Sequence, residues 1–329
     1  MNSRKFLVLF VILSLVALAV VGCGDQKKAE APKFPTKPVT IIVPFAAGGG
    51  TDAVARALAK SAEPILGQSV TVVNKVGANG ATGMTEGLNA AADGYTVTMT
   101  AVEVVMNPIQ GMVPWKPSDF KAVILANSDA SALTVRADSP YKTYEDFIKA
   151  AKDNPGMLKV GANAPGAIWH LAALGLQDKA GVKFNLIPFP GGAGPAITDL
   201  LGGHIDAVTV SAAEVSQHVK AGKLRMLGVH ATERLKGFPD VPTAKEKGVD
   251  VSISTWRGLA VPGKTPDDVV KTLHDAFKKA IEDPKFVEFM EKGNFGRGYM
   301  SNSQMQQYMD EQTKMFQPLM EKAGLTKKK

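Results

Sequence analysis

The stretch VTIIVPFAAGGGTD, residues 39–52, indicates the fold class of this chain. Its β-branched run predicts a strand over 39–45, and the amphipathic pattern after the glycines predicts a helix over 51–66, capped by Thr51 or Asp52. A strand, a glycine loop and a helix N-terminus present backbone N–H groups to anions in α/β proteins, although such glycines are also ordinary turn residues. No Lys-Ser or Lys-Thr pair follows, so the loop is not a P-loop.

A second segment with the same strand, loop and helix pattern follows about 110 residues later. MLKVG, residues 157–161, predicts a strand, the loop 162–166 contains proline and glycine, and 167–179 predicts a helix. If the two starts belong to different lobes and face each other, they hold one small anion between two helix N-termini. The two segments together therefore predict a clamp for an anion.

Strand and helix patterns alternate along most of the chain, which predicts an α/β protein with βαβ units around largely parallel sheets. The length favours two lobes. The predicted strands are 39–45, 70–74, 95–100, 121–126, 132–136, 157–161, 184–188, 205–210 and 224–229. The predicted helices are 51–66, 80–91, 143–152, 167–179, 194–202, 212–221, 265–282 and 302–323.

The N-terminus has the pattern of an export signal. Arg4 and Lys5 precede an apolar run of about 16 residues, and small residues then lead to Cys23. The run is shorter than the roughly 20 residues of a spanning helix, which disfavours an uncleaved anchor. The pattern resembles a bacterial lipobox, which implies a signal peptide over 1–22, export, and lipidation (palmitate among the acyl chains) at Cys23. The lipid would anchor the protein on the outer face of the cell membrane, or facing the periplasm in a cell with two membranes. Residues 23–33 read as a flexible tether.

Composition and motifs argue against several functions. Cleavage before Cys23 lowers the formal charge from +7 to +5, and the scattered basic residues do not form a nucleic-acid surface. The five histidines do not form the His-Glu-x-x-His motif of zinc proteases, and the Gly-x-Ser-x-Gly motif of serine hydrolases does not occur. For His204 and Asp206, a structural role is favoured over metal binding. Gly191-Gly192 reads as a turn before a helix. These absences predict a binding protein without cofactor or metal, rather than an enzyme.

An ordered series of motifs between Phe34 and about Leu319 resembles the substrate-binding receptors of tripartite tricarboxylate transporters, also called Bug receptors. The motifs are FPTKP (34–38), VPF (43–45), GGGTD (48–52), NKVGANG (74–80), DGYT (93–96), HLA (170–172), DLLGGHID (199–206), AGKLR (221–225), PDVPT (239–243) and WRGL (256–259).

This resemblance implies a type II two-lobed periplasmic-binding-protein fold, each lobe a mostly parallel sheet flanked by helices, with a two-segment hinge. Lobe one is expected over 34–130 and 252–329, and lobe two over 131–251. It implies a monomer that captures a small organic acid and delivers it to multi-span permease subunits. A ligand-sensing subunit of the same fold is the alternative. An exported enzyme would need a nucleophile–base pair that the sequence does not show.

The resemblance also implies which residues contact the ligand, from the loops 45–52 and 161–168 and from positions near the cleft. For Gly191 and Asp206, lobe packing is an equally good interpretation. The expected ligand-binding residues are Phe45, Ala47, Gly48, Gly49, Thr51, Asp52, Ala162, Asn163, Gly166, Ala167, Ile168, Gly191, Asp206 and Ser211.

The chain departs from the family pattern at the second loop. Members often carry Ser or Thr where this chain has Ala167 and Ile168, and proline where it has Trp169. Fewer hydroxyls then hold a carboxylate, and the cleft becomes more apolar if Trp169 turns inward. We therefore expect a ligand with an apolar or aromatic body rather than citrate. This hypothesis is wrong if citrate, and no aromatic carboxylate, raises the thermal stability of the purified protein.

Overall fold

A computed structural model describes residues 34–326 of the chain. The predicted signal peptide, Cys23 and tether lie outside these residues. In chain order, the strands within the described range are β1 (Val39–Val43), β2 (Val70–Asn74), β3 (Thr96–Ala101), β4 (Phe120–Ala130), β5 (Ala132–Arg136), β6 (Lys159–Asn163), β7 (Asn185–Phe189), β8 (Ala207–Val208), β9 (Leu224–Val229), β10 (Ser254–Pro262) and β11 (Arg297–Met300).

Helices flank these strands, and short 3₁₀ turns supplement them. The α-helices of the described range are α1 (Gly50–Leu66), α2 (Ala81–Leu88), α3 (Glu103–Ile109), α4 (Tyr144–Asp153), α5 (Ile168–Ala180), α6 (Ala193–Gly202), α7 (Ala212–Lys220), α8 (Asp267–Glu282), α9 (Pro284–Gly293) and α10 (Asn302–Lys322). No helix among the residues described is both long and apolar enough to cross a bilayer.

The strands form two sheets, one in each lobe, so the predicted two-lobed α/β architecture is confirmed. The first sheet has the order β11-β4-β10-β3-β1-β2, and the second has the order β7-β6-β8-β5-β9. The chain leaves the first sheet after β4 and returns to it with β10. The lobe limits expected near residues 130 and 252 stay a prediction.

Both sheets are mixed rather than largely parallel. β1 pairs in parallel with β2 and β3, and β6 pairs in parallel with β7 and β8. In contrast, β10 runs antiparallel to β3 and β4, and β5 runs antiparallel to β8 and β9. In the first sheet, β10 brings the chain back from the second lobe against the direction of β4. In the second sheet, the antiparallel strand is β5, with which the chain enters that sheet.

The structure contains elements that the sequence patterns did not predict, namely β10, β11, α3 and α9. β10 is buried along nearly all its length although Arg257 interrupts its apolar run. The helix α3 has only 7 residues and includes Val104, Val105 and Pro108, which all have poor helix propensity. Burial and sheet pairing therefore override the local pattern in these segments.

Candidate functional site

The first glycine loop leads from β1 into α1. Gly49 is the N-cap of this helix, with extended backbone angles of φ −79° and ψ 168°, and it provides no side-chain cap. The prediction that Thr51 or Asp52 caps the helix is therefore wrong, because the helix already begins at Gly50. Asp52 instead reaches back from the first turn, where its Oδ2 accepts a hydrogen bond from the Gly48 N–H at 3.0 Å.

Asp52 is a buried anchor of this loop. Its carboxylate accepts hydrogen bonds from Asn74 Nδ2 at 2.9 Å and from Arg56 Nε at 3.0 Å. Burial raises the pKa of Asp52, but the hydrogen bonds from Arg56, Gly48 and Asn74 outweigh it and hold the pKa below its usual value. The Asp52 side chain thus holds the loop in place through these hydrogen bonds and does not line the cavity described below.

We expect the substitution Asp52→Ala to lower the free energy of unfolding by about 1–3 kcal/mol, because it removes the acceptor of the Gly48 N–H and leaves Asn74 Nδ2 with the Phe45 carbonyl alone. Urea denaturation at neutral pH measures this loss. Because the pKa of Asp52 is lowered in the folded state, the stability it contributes is present above the unfolded pKa and is lost in acid. An Asp52→Ala protein with native stability at pH 7 would contradict this assignment.

A cavity of about 30 Å³ lies where the ends of the two lobes meet. Loops from both lobes line it, together with side chains from β3, α3, α7 and β10. The lining residues are Phe45, Ala46, Gly49, Gly50, Thr51, Ala101, Glu103, Asn163, Ile168, Trp169, Gly191, Gly192, Ala193, Glu214, Thr255 and Arg257. The two loops singled out in the sequence therefore face one shared space.

Several of the expected ligand-binding residues line this cavity. They are Phe45, Gly49, Thr51, Asn163, Ile168 and Gly191. Trp169 also lines it, and Ile168 and Trp169 are each 2% exposed. The second loop therefore contributes apolar surface to the cavity. Contact of these residues with a solute stays a prediction.

Other expected residues lie near the cavity without lining it. Ala47 and Gly48 are exposed at the tip of the first loop, and Ala162 and Ala167 are buried beside the second. Gly166 belongs to a contact between lobes, because its carbonyl accepts a hydrogen bond from Gln110 Nε2 at 3.1 Å. These residues shape the loops rather than the surface of the cavity.

Asp206 and Ser211 have other positions in the second lobe. Asp206 is exposed and accepts a hydrogen bond from the N–H of Lys159, the first residue of β6, at 2.8 Å. Asn163 ends the same strand, roughly 13 Å away at 3.3 Å per residue. Ser211 is the N-cap of α7, and its Oγ donates to Glu214 Oε2 at 2.8 Å. Ser211 thereby orients Glu214, which does line the cavity.

A larger cavity of about 370 Å³ adjoins the first. It shares Phe45, Asn163, Gly191 and Gly192 with the smaller one. Its other lining residues are Pro44, Val76, Gly77, Ala78, Asn79, Gly80, Met112, Ala164, Pro165 and Pro190. Asn79 Nδ2 donates to the Pro165 carbonyl at 3.3 Å across its wall. The two cavities form one cleft between the lobes.

Arg257 is the buried cation of the site, at 2% exposure. Its Nη1 donates to Asn127 Oδ1 and forms an ion pair with Asp129, and its Nε donates to Thr51 Oγ1 at 3.0 Å. Its Nη2 lies 3.9 Å from Glu214 Oε1. The guanidinium therefore joins β10, β4 and α1 of the first lobe to α7 of the second.

Glu103 begins α3 directly after β3 and is 2% exposed. Its Oε1 accepts a hydrogen bond from the N–H of Ile168 in the second lobe, at 3.5 Å. Burial raises the pKa of Glu103 to about 7, although the Ile168 N–H and Arg257 oppose this shift. Burial also raises the pKa of Glu214, although Arg257 favours its ionised form. The cavity thus contains two acidic groups that burial disfavours as anions.

Sequence reasoning did not assign Glu103, Glu214 or Arg257 to the site. The signal for Glu103 was its place directly after a strand, at the edge where α/β proteins bind ligands. Glu214 stands three residues after Ser211, in a capping box that indicates a helix start. The only sequence feature that pointed to Arg257 was a charged residue within an apolar run.

A serine–histidine pair lies elsewhere in the described residues. Ser131 Oγ and His230 Nδ1 are 2.7 Å apart, both residues are fully buried, and neither lines the cavity. Burial lowers the pKa of His230 to about 4. The pair ties the start of β5 to the end of β9 and has no access to a solute in the cleft.

Comparison with known proteins identifies the family of the chain. The family model described as tripartite tricarboxylate transporter family receptor matches residues 54–325. The UPF0065 protein in the gbd 5' region of Cupriavidus necator is 38% identical over 313 residues, which cover 94% of this chain and 95% of that protein.

Solved structures of similar proteins share the fold. That of the periplasmic binding protein BugD is 31% identical with a TM-score of 0.84, covering 90% of this chain and 100% of that one. MatC from Rhodopseudomonas palustris with bound malate is 26% identical with a TM-score of 0.79, covering 87% and 99%. R. palustris Rpa4515 with adipate is 25% identical with a TM-score of 0.84, covering 89% and 99%.

The family model spans most of the chain, and the two-lobed fold matches that of the solved family structures. The chain therefore belongs to the tripartite tricarboxylate transporter receptor family, whose characterised structures are periplasmic solute-binding proteins.

Proposed function

We propose that this protein is an exported lipoprotein that captures a small organic acid between its lobes and delivers it to a tripartite tricarboxylate-type membrane transporter. The observation that carries the proposal is the shared cavity, which is lined by the loop before α1 of the first lobe and by the loops before α5 and α6 of the second. The similar proteins with bound malate and adipate support a carboxylate as the solute.

The dimensions of the cleft indicate how the solute is held. The small cavity, about 30 Å³, is too small for a whole organic acid, whereas the adjoining cavity of about 370 Å³ is within the usual range for small-molecule sites. A solute therefore occupies the larger cavity and extends one group into the smaller. Because both lobes line the cleft, we expect the lobes to close around the solute and open again about their hinge.

Lipid on Cys23 would hold the receptor near its transporter. The ten residues 24–33 span at most roughly 35 Å when extended, which limits how far the chain reaches from its lipid. Stable anchoring needs more than one acyl chain. Intact-mass measurement of the membrane-extracted protein tests this part: an unmodified chain that still begins at Met1 would contradict it.

The solute itself is the best test of the receptor proposal. Native mass spectrometry of protein purified without refolding should show a small acid bound to the folded chain. Loss of uptake of that same acid in cells lacking the protein would support delivery to a transporter. A bound solute without any carboxylate would contradict the proposed function, and intact uptake would contradict the transport role.

We expect the substitution Gly49→Val to abolish solute binding while the protein remains folded. Gly49 has extended backbone angles that valine adopts readily, and an added Cβ would contact only the Ala46 carbonyl, at an ordinary 3.5 Å. The new side chain would fill the small cavity that Gly49 lines. Losing a glycine N-cap costs about 1 kcal/mol of stability at most.

Titration of the copurified solute into solute-free Gly49→Val protein, followed by calorimetry, checks this expectation. Gly194→Val is the matched control, because Gly194 is exposed on α6 and its Cβ would meet no atom within 4 Å. Native affinity in the Gly49→Val protein would remove the first loop from the binding site.

A further inference from the structure

Two side chains of the first lobe bind consecutive carbonyl groups of the loop before α5. Asn79 Nδ2 donates to the Pro165 carbonyl at 3.3 Å, and Gln110 Nε2 donates to the Gly166 carbonyl at 3.1 Å. Asn79 lies in the turn before α2, and Gln110 directly follows α3. Both hydrogen bonds therefore cross between the lobes, beside the cavity of about 370 Å³ that Asn79 and Pro165 line.

The contact at Gly166 is a close one. Gly166 has a φ of +79°, and a Cβ at this position would overlap the amide group of Gln110. The loop is also tied to its own helix, because the Gly166 N–H donates to His170 Nδ1 at 3.1 Å. Gly166 thus lets a side chain of the other lobe lie directly on the backbone of the loop, although Gly166 itself does not line the cleft.

The turn that carries Asn79 is held by the first lobe alone. Ala78 and Asn79 have φ angles of +46° and +52°, a region that residues other than glycine seldom occupy. The Asn79 carbonyl accepts a hydrogen bond from Asn107 Nδ2 at 3.2 Å, and Asn107 is fully buried. Because these three residues belong to one lobe, we expect the turn to keep its conformation when the lobes separate.

Both amide groups can exchange their partners for water. Asn79 and Gln110 are half-buried, so neither amide is left without a partner when the lobes separate. A neutral hydrogen bond of this kind changes an equilibrium by a factor of roughly three to ten. Each bond should therefore favour the arrangement with the lobes together by that factor, and should contribute little to the stability of either lobe alone.

We propose that Gln110 and Asn79 are positioning residues that hold the second loop against the first lobe and thereby determine how often the cleft opens. This inference rests on the proposed function, in which the lifetime of a bound solute depends on that opening. Gln110 lines neither cavity of the cleft, so its effect on the site passes through the loop. It also lies outside the motifs that carry the family resemblance, so the resemblance gives it no role.

The backbone N–H of Ile168 reports on this opening. It donates to Glu103 Oε1 of the first lobe at 3.5 Å, and Ile168 is 2% exposed. Its exchange with deuterium therefore requires the second loop to leave the first lobe, and the exchange rate follows the population of the open arrangement. The measurement needs no solute, so it can contradict the inference while the proposed receptor function stands.

Hydrogen–deuterium exchange of the purified, solute-free protein, read by mass spectrometry on peptides that contain Ile168, tests the inference. In Gln110→Met, which keeps the side-chain length and loses the donor, we expect exchange about three to ten times faster than in the native protein. Asn79→Gly removes the other donor at a positive φ that glycine accepts, and it should act in the same direction. The double variant should exceed both, whereas peptides from β1 and β9 should exchange as in the native protein.

Two exposed glutamines provide matched controls. Gln217 Nε2 donates to a carbonyl of α9 at 3.2 Å, also between the lobes but away from both cleft cavities, and Gln307 Nε2 donates within α10 at 2.8 Å. Gln217→Met and Gln307→Met should leave exchange at Ile168 as in the native protein. Native exchange in the Gln110→Met and double variants would overturn the inference. Equal acceleration by Gln217→Met, or faster exchange in all peptides, would overturn it too, because general loosening and not this pair would then be the cause.

Discussion

Replacement of Arg257 with alanine is expected to lower the free energy of unfolding by about 3–5 kcal/mol, a larger loss than we expect for Asp52→Ala. The guanidinium is 2% exposed and pairs with Asp129, which is 3% exposed. Its removal leaves that carboxylate buried without a cation, and breaking one side of a buried ion pair costs this much. Loss of the bonds to Asn127 and Thr51 adds to the effect.

Urea denaturation of the native and Arg257→Ala proteins measures this loss. Adding Asp129→Asn to the Arg257→Ala protein should recover part of the stability, because it removes the unpaired charge. The exposed Arg234, which pairs with Glu246, provides a control whose replacement should change stability little. A double variant that is less stable than Arg257→Ala alone would show that charge burial is not the cause.

Glu103→Gln is expected to make the protein more stable than the native form at pH 8, by up to about 3 kcal/mol. Burial raises the pKa of Glu103 to about 7 from a usual value of 4.5, so the folded protein prefers the protonated group. The favourable contribution is therefore complete below pH 4.5 and is lost as the pH rises through 7. Glutamine is neutral throughout and escapes this loss.

Unfolding of both proteins at several pH values between 4 and 8 tests this expectation. The difference in stability should be small near pH 4 and grow toward pH 8. His230, whose pKa burial lowers to about 4, acts in the opposite direction as the pH falls, but it is present in both proteins and cancels in the difference. Glu233→Gln, at an exposed position, should show no such trend, and a constant difference for Glu103→Gln would contradict the raised pKa.

Local patterns in the sequence were sufficient for much of the fold. The β-branched run of β1, the glycines before α1 and the similar start of α5 each carry their information within about fifteen residues. The alternation of such segments predicted the α/β class and the length of the chain predicted two lobes, and the structure confirms both. The mixed direction of the sheets was not predicted, because it depends on β5 and β10, the strands with which the chain enters the second sheet and returns to the first.

The site was predicted only in part for a related reason. Loop residues such as Gly49 and Ile168 are recognisable because they stand beside a helix start. A strand was predicted over 205–210 and is Ala207–Val208 in the structure, but pairing with β6 decides at which end of the sheet the preceding Asp206 lies. The local sequence did not assign Glu103 and Glu214 to the site, because the two residues come to one cavity only when the lobes pack.

Neighbouring residues and an ordered series of short motifs were enough to predict the two loops before helices, the α/β alternation and the family. The charge of the cleft, in contrast, exists only once the lobes have packed. The partners of Arg257 lie 128 and 206 residues away, at Asp129 and Thr51, and Glu103 meets Ile168 across 65 residues. Burial and pairing over such separations arise from packing, so the balance of charge in the site follows from the fold.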